Sequence, residues 1–484
     1  MAFPAENSAW PPPEWDYWYR KYLEWAAWYS GDPEQLADYY SSLFPDTDQG
    51  RFWARIERNE RRTMVHLPIA SDVAATSANL LFSEAPDFQY DEKADGGDRV
   101  KAFIDDNGLH NLLLEGAEMA AGLSGLFLKL DVDPSIMGVP IVSVVTPYHA
   151  LPEFQRGRLK AVTFWSVVRQ EDSGTVWRLF EDRRVENGQL VVRYRLYDGR
   201  DDRIGRLRGL NSIEETSQLG LQDMTYNINA LATVYIPNMR PNRLQPGSPL
   251  GVADYQGAIG LLDSLDEAWS ALMREIRLGA AKLLVDEEIL DEHGRYNTLD
   301  EVFVKLKMSD LRVGSESYDP IEQIQFDMRI EEMLRGIEAL STEIITRCGY
   351  SPQTFGFDIQ GRAESGTALR IRERKSLLTR EKKSRYWRPA LRSLFWQAQL
   401  LDVESALSTG YTPQDVDVIL QDSVVPDPKE ISETIRNLEQ ARAISTYMKV
   451  KLQHPDWDET AVAEEVERIH KERGGDVPPY EGIP

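Results

Sequence analysis

Between Arg362 and Arg392 the chain carries 11 basic and 3 acidic side chains, a local charge of +8. The whole chain has a net charge of −24, so the other 453 residues sum to −32. Guanidinium and ammonium groups gathered this densely can hold phosphates or carboxylates. On a helical wheel Arg372, Lys375, Lys382 and Lys383 share an arc of roughly 100°, while Arg370, Arg374, Arg385, Arg388 and Arg392 form a second stripe. The apolar face, with Leu369, Trp387, Leu391, Leu394, Phe395 and Ala398, is interrupted by Glu373, Arg380 and Ser384. Three uses are open: facing DNA phosphates, pairing with acidic side chains of neighbouring subunits, or simple solvation.

Other chemistry is not written in the sequence. There is no phosphate-cradling G-x-x-x-x-G-K-[ST] or G-x-G-x-x-G, and no H-E-x-x-H, C-x-x-C or G-x-S-x-G. Gly356, Gly361 and Gly366 are spaced five apart with no Lys-Ser after them, which reads as a mobile loop. No catalytic residue, metal ligand or cofactor is expected, and the chain is not expected to be an enzyme. The single cysteine, Cys348, excludes an internal disulfide framework and fits a reducing compartment. A pI near 4.8 argues against general adhesion to nucleic acid but not against passage of DNA through a hole, where a repelling wall keeps the duplex moving.

The elements that position the basic stretch can be traced along the chain. A length of 484 residues implies two or more domains, and 42% hydrophobic with 28% charged residues implies a folded protein. The opening "MAFPAENSAWPPPEW" lacks the basic and apolar regions of a secretory signal. Trp15, Trp18, Trp25 and Trp28 mark one face of a helix, and Asp32 caps a second helix that begins at Pro33. "MVHLPIASDVAATSANLLFSEAP" predicts a short strand and then a helix ending before Pro86. "LLLEGAEMAAGLSGLFLKL" reads as a buried helix running into a strand, since Glu115, Glu118 and the glycines do not suit a membrane span.

From Gly125 to Ile236 the period becomes two, with five strand candidates and a hairpin turn at Glu186–Gln189, so an antiparallel sheet is expected. "YIPNMRPNRLQPGSPLG" reads as a linker or hinge. Two long amphipathic helices follow. Tyr255, Ala258, Leu262, Leu265, Trp269, Leu272 and Ile276 mark the first. Ile330, Leu334, Ile337, Leu340 and Ile344 mark the second, with Asp319 and Pro320 at its expected start. Between them, 281–319 holds strand-like "AKLLVDEEILDE" and "EVFVKLKM". Ser365 is the expected cap of the basic helix, which Pro389 should kink or divide near Arg385. From Leu401 the chain is helical and acidic, 18 acidic against 8 basic residues.

The order of these pieces resembles the portal proteins of tailed double-stranded DNA phages. "MVHLPIASDVAATSANLLFSEAP" is similar to the family's segment entering the wing, and "VVTPYHALPEFQRGRLKAVTFWSVV" to its wing strands. "NRLQPGSPLGVADYQGAIGLLDSLDEAWSALMREIRLG" resembles the lead into the first stem helix, with a G-x-x-D-Y step at Gly251–Tyr255. "GYSPQTFGFDIQGRAESGTALRIR" resembles the tunnel loop and tunnel helix, "ESGTAL" being its most specific piece. The implied fold is α+β, portal-type, with an α/β wing, long stem helices, a small α/β clip, a tunnel helix and a helical crown. The implied division is wing 1–250, first stem helix 251–280, clip 281–319, second stem helix 320–348, tunnel loop 349–366, tunnel helix and return to the wing 367–400, and crown 401–484.

The resemblance implies a ring of about twelve subunits at one capsid vertex of a virion assembled in the host cytoplasm. Its partners would be double-stranded DNA, a terminase packaging motor, a head–tail adaptor, and major capsid and scaffolding proteins, with no membrane. Phe355, Gly356, Phe357, Gly361, Arg362, Ser365 and Gly366 become channel or tunnel-loop candidates. Phe355 and Phe357 either line the constriction or anchor the loop, and Arg362 touches phosphate or makes an intersubunit salt bridge. Arg370, Arg372, Arg374, Lys375, Lys382, Lys383 and Arg385 become contacts to DNA or to a neighbouring subunit. Tyr255, Leu262, Leu265, Trp269, Leu272, Ile330, Leu334, Ile337 and Ile344 become stem-packing residues. The alternatives are a nucleic-acid-processing enzyme using the basic helix 362–392, and another ring-forming virion protein such as an adaptor or capsid-associated subunit.

Overall fold

A computed structural model describes residues 3–43, 51–54, 64–278, 282–285, 321–324, 329–357, 366–405, 407–408, 410–420, 428–454, 457 and 459–472. The helices are α1 Asp16–Ser30, α2 Pro33–Leu43, α3 Ile69–Phe82, α4 Gly97–Asp106, α5 Leu109–Leu123, α6 Glu214–Ser217, α7 Ile259–Leu278, α8 Ile330–Cys348, α9 Gly366–Glu404, α10 Pro428–Gln440, α11 Thr446–Gln453 and α12 Glu459–Glu472. The strands are β1 Asp87–Gln89, β2 Gly125–Asp131, β3 Ile141–Val145, β4 Ala150–Gln155, β5 Arg158–Gln170, β6 Val176–Glu186, β7 Gln189–Arg200, β8 Arg203–Arg208, β9 Met224–Tyr226, β10 Thr233–Pro237, β11 Lys282–Val285, β12 Ile321–Ile324 and β13 Asp417–Ile419. The fold is mixed α and β, and no helix among the described residues is long and apolar enough to cross a membrane.

The local signals act where they were read. The Trp18, Trp25 and Trp28 stripe turns α1 inward, and all three rings are buried. The Asp32 carboxylate accepts the Glu34 N–H at 2.9 Å, which caps α2. At the β6–β7 hairpin Asn187 and Gly188 both take positive φ, 51° and 82°, as a two-residue primed turn requires.

The strand region forms two antiparallel sheets where the periodicity suggested one. Their orders are β10-β2-β3 and β4-β5-β6-β7-β8, with β9 on β7. The turn at Pro147–His149 separates β3 from β4, and Pro147 has no N–H with which to extend a ladder. Two cores result. One joins the small sheet, α3–α5 and the C-terminal half of α9, with Phe103, Leu113, Leu126, Trp387, Leu391 and Phe395 at its centre. The other joins α1, α2, α7 and α8 around Trp25, Trp28, Trp53, Tyr255, Leu265 and Ile344.

Five boundaries differ from the sequence reading. Residues 64–68 are not a strand, because side chains of α7 take their backbone donors. The proline-rich 237–251 segment is tied down by buried Asn238 and Asn242, the latter donating to the Leu250 carbonyl at 3.0 Å, and so is no hinge. The second long helix begins at Ile330; ahead of it Ile321–Ile324 pairs antiparallel with Lys282–Val285, while Asp319, Pro320 and the strand-like 301–308 lie outside the described residues. Pro389 does not divide α9, which continues through it. The carbonyl that Pro389 deprives of a partner is that of solvent-exposed Arg385, which water can serve. Finally, the chain after Leu401 does not leave the first core at once: α9 runs on to Glu404, β13 pairs with β1, and Val416, Val418 and Leu420 complete that core.

Candidate functional site: a helix pair and the basic helix behind it

The α7 helix carries two stripes. Leu262, Leu265 and Leu272 are buried in the second core and Trp269 is half-buried. Beside them Asp263, Asp266 and Ser270, spaced three and four apart, face the segments 51–54 and 64–67. Asp263 accepts the Phe52 N–H at 2.9 Å, and Ser270 accepts the Val65 N–H at 2.9 Å. Asp266 accepts the Leu67 N–H and the Trp53 indole N–H, each at 3.0 Å, and lies 2.7 Å from Nδ1 of His66. Burial raises the Asp263 carboxyl above its ordinary range, against the opposing pull of the Phe52 N–H and Arg51.

The α8 helix begins with Glu331 and Glu332 in its first turn, which suits the helix dipole. It ends in a Schellman motif. Gly349 has φ 97°, its N–H donates to the Thr346 carbonyl at 3.2 Å, and the Tyr350 N–H donates to the Ile345 carbonyl at 3.1 Å. The two helices pack antiparallel, so the end of α8 meets the lead-in to α7. The remote ends expose apolar side chains, Ile276 at 40% and Leu334 at 42%. Ile337 and Ile344 are buried, and Ile330 is half-buried against the second core.

Where α8 meets the start of α7, three donors from separate segments converge on one carboxylate. Asp254 accepts from the Lys383 ammonium of α9 at 2.6 Å, the Tyr350 hydroxyl at 2.6 Å and the Asn238 amide at 2.8 Å. Lys383 also donates to the Ser77 hydroxyl of α3 at 2.5 Å. The adjacent Tyr255 hydroxyl reaches the carbonyls of Trp25 and Gly122 at 2.7 and 2.8 Å. Gly251 permits this closure, since a Cβ there would lie 2.1 Å from the Ser124 carbonyl oxygen. Burial pulls the Lys383 ammonium below its ordinary pKa, and Asp254 opposes that shift. Burial, and next the Asp254 charge, push the Tyr350 phenol well up. The G-x-x-D-Y step therefore holds the polar junction between the helix pair and the rest of the fold.

Lys383 is thus corrected: with its side chain 3% exposed it pairs inside its own chain and meets neither DNA nor a neighbour. Arg380 turns inward too, its Nε donating to the Leu80 carbonyl at 2.6 Å. The Lys375 ammonium donates to the Thr346 carbonyl while remaining exposed. Arg374 and Arg385 are exposed; Arg372 and Lys382 are half-buried, and burial and then nearby Arg243 lower the Lys382 ammonium. Gly366 opens α9, and the Arg370 side chain, like Gly361, Arg362 and Ser365, lies outside the described residues. Phe355 and Phe357 pack half-buried against the second core, with exposed Gly356 between them at φ 81°. Asp254, Asp266 and Ser77 were missed by sequence reasoning. The only signal for the first was the G-x-x-D-Y step, and for the second an acid beside an apolar heptad.

A cavity of ≈520 Å³ in the strand region is also lined by charge, but its charges answer one another. Lys129 pairs with Asp131 and Glu181, and Arg183 with the same two carboxylates. Among the described residues no group of three His, Cys, Asp or Glu side chains is arranged to hold a metal.

Residues 12–478 match the family model described as phage portal protein, SPP1 Gp6-like. Two solved structures are similar to the chain at low identity. One is the neck of an empty GTA particle computed with C6 symmetry, at 13% identity and TM-score 0.43, covering 82% of this chain and 94% of that one. The other is the neck of a native GTA particle computed with C12 symmetry, at 12% identity and TM-score 0.40, covering 93% and 96%. No curated protein matches the chain.

Proposed function

The chain belongs to the SPP1 Gp6-like phage portal protein family, and from that membership we propose that it is one subunit of a ring at a capsid vertex through which duplex DNA passes during packaging and ejection. About twelve copies stand side by side, and the outer surface serves a packaging motor and later a head–tail adaptor. The α7 and α8 pair, of 20 and 19 residues, forms the wall. The paired strands β11 and β12 lead into the clip, where those partners dock. The turn after α8 leads into the loop 349–366, which forms the constriction. No enzymatic step is assigned to the chain.

The observation that carries this reading is the family match itself, which spans the strand region, the helix pair and the basic helix together. Geometry supports it. Helices at ~10 Å spacing, one from the pair of each of about twelve copies facing the axis, put their axes on a diameter of roughly 39 Å. Removing one helix width leaves a hole of roughly 27 Å, wide enough for a duplex. A net charge of −24 per copy makes most of such a wall repel DNA, so the duplex slides without being held.

Light scattering on the purified chain tests the assembly. Copies of 55.3 kDa are expected to give a particle of about 660 kDa at about twelve per ring. A stable monomer at micromolar concentration would overturn the reading.

A further inference from the structure

Between α7, α8 and the turn after α8 lies an open groove of ≈510 Å³. Its apolar walls are Leu67, Trp269, Leu334, Ile337, Phe355 and Phe357. Asp72 and Glu338 also line it, and neither has an ionic partner among the described residues. Burial raises the Asp72 carboxyl, as expected for an acid held against apolar walls. The Trp269 indole N–H is buried with no acceptor among the described residues. The groove thus offers open apolar walls and two carboxylates without a cation.

The first half of α9 presents the complement. Ile371 and Leu378 are 68% and 60% exposed, the two most exposed large apolar side chains on that helix among the described residues. Seven residues apart, they share one face, with exposed Arg374 between them. Arg374 has no ionic partner among the described residues, whereas Glu381, next on the same face, already pairs with Arg380 of its own chain at 3.3 Å. An exposed apolar stripe interleaved with charge is the pattern of a helix that lies in a partner's groove.

Resting on the ring reading above, we propose that the Ile371–Arg374–Leu378 face of one copy docks in the α7/α8 groove of the next copy, with Arg374 against Glu338 and Asp72. The contact is heterologous, because the helix face and the groove are two different surfaces of each copy. A heterologous contact closes into a ring if its rotation allows. The charge reversal of this helix then has two uses: Lys383 and Arg380 bind α9 to its own chain, and Arg374 binds it to a neighbour.

Cross-linking between unlike copies tests this. The native Cys348 is buried, so introduced thiols react selectively. Leu378→Cys chains are mixed and co-assembled with Leu334→Cys chains and treated with a short bis-maleimide. Covalent dimers are expected from the mixture and from neither variant alone, and the chain carrying both cysteines is expected to give a ladder of multimers. In a second arm, Arg374→Glu is expected to weaken assembly about ten-fold or more, and adding Glu338→Arg to restore it. Particles of ring mass that give no mixed cross-link would overturn the docking and leave the ring reading standing. Failure of the unmodified chain to form such particles would remove both.

Discussion

Replacing Asp254 with alanine is expected to lower the unfolding free energy by about 3–5 kcal/mol. The Asp254 and Lys383 side chains are essentially buried, and among the described residues the ammonium meets no other anion. Removing the carboxylate leaves that charge uncompensated in a low-dielectric site, strips the Tyr350 hydroxyl of its acceptor and leaves the Asn238 amide with only the Val252 carbonyl. Lys383→Met is expected to cost less, because Asp254 keeps two neutral donors. Asp254→Ala combined with Lys383→Met is expected to recover part of the loss, since neither charge is then stranded. Urea unfolding at one fixed protein concentration reads the effect, which matters because assembly itself shifts apparent stability. An Asp254→Ala midpoint equal to that of the unmodified chain would contradict the account of the junction.

Asp266→Ala is expected to be the next most damaging change, costing about 3 kcal/mol or more from orphaned donors worth about 1–3 kcal/mol each. The Trp53 indole and the Leu67 amide lose their acceptor, and the His66 ring loses its partner, all against a buried face of α7. The loss is local, which allows a sharper readout than a melting curve. Hydrogen exchange at the Leu67 amide is expected to accelerate, while amides of the β6–β7 hairpin stay protected. Unchanged protection at Leu67 would show that α7 does not hold this segment.

The two sites differ in how legible they were, for physical reasons. Elements with a strong local period were readable: the tryptophan face of α1, the run from α5 into β2, and the alternating β5, β6 and β7 with a two-residue turn. Local chemistry decides those. The 64–68 segment looked like a strand because its composition is apolar, yet its donors go to side chains about 200 residues away, a partnership no local window contains. Pro320 and Asp319 look like a helix start by propensity, but the next four described residues pair with a strand on the far side of an insertion. For the basic helix the sequence supplied charge without burial. It could not show that Lys383 and Arg380 turn inward while Arg374 and Arg385 stay exposed. The apolar stripes of α7 and α8 were legible for Leu262, Leu265, Leu272, Ile337 and Ile344 because one apolar face per helix must find a core. Leu334 and Ile276 extend the same stripes beyond their own chain's packing, and their exposure emerged only in three dimensions.

A density map of the purified assembly viewed along its symmetry axis tests the central proposal most directly. The account predicts a closed ring whose axial opening exceeds a duplex, with α7 and α8 of every copy forming its wall. Particles without an opening, or an opening walled by the strand region with α7 and α8 turned outward, would contradict it.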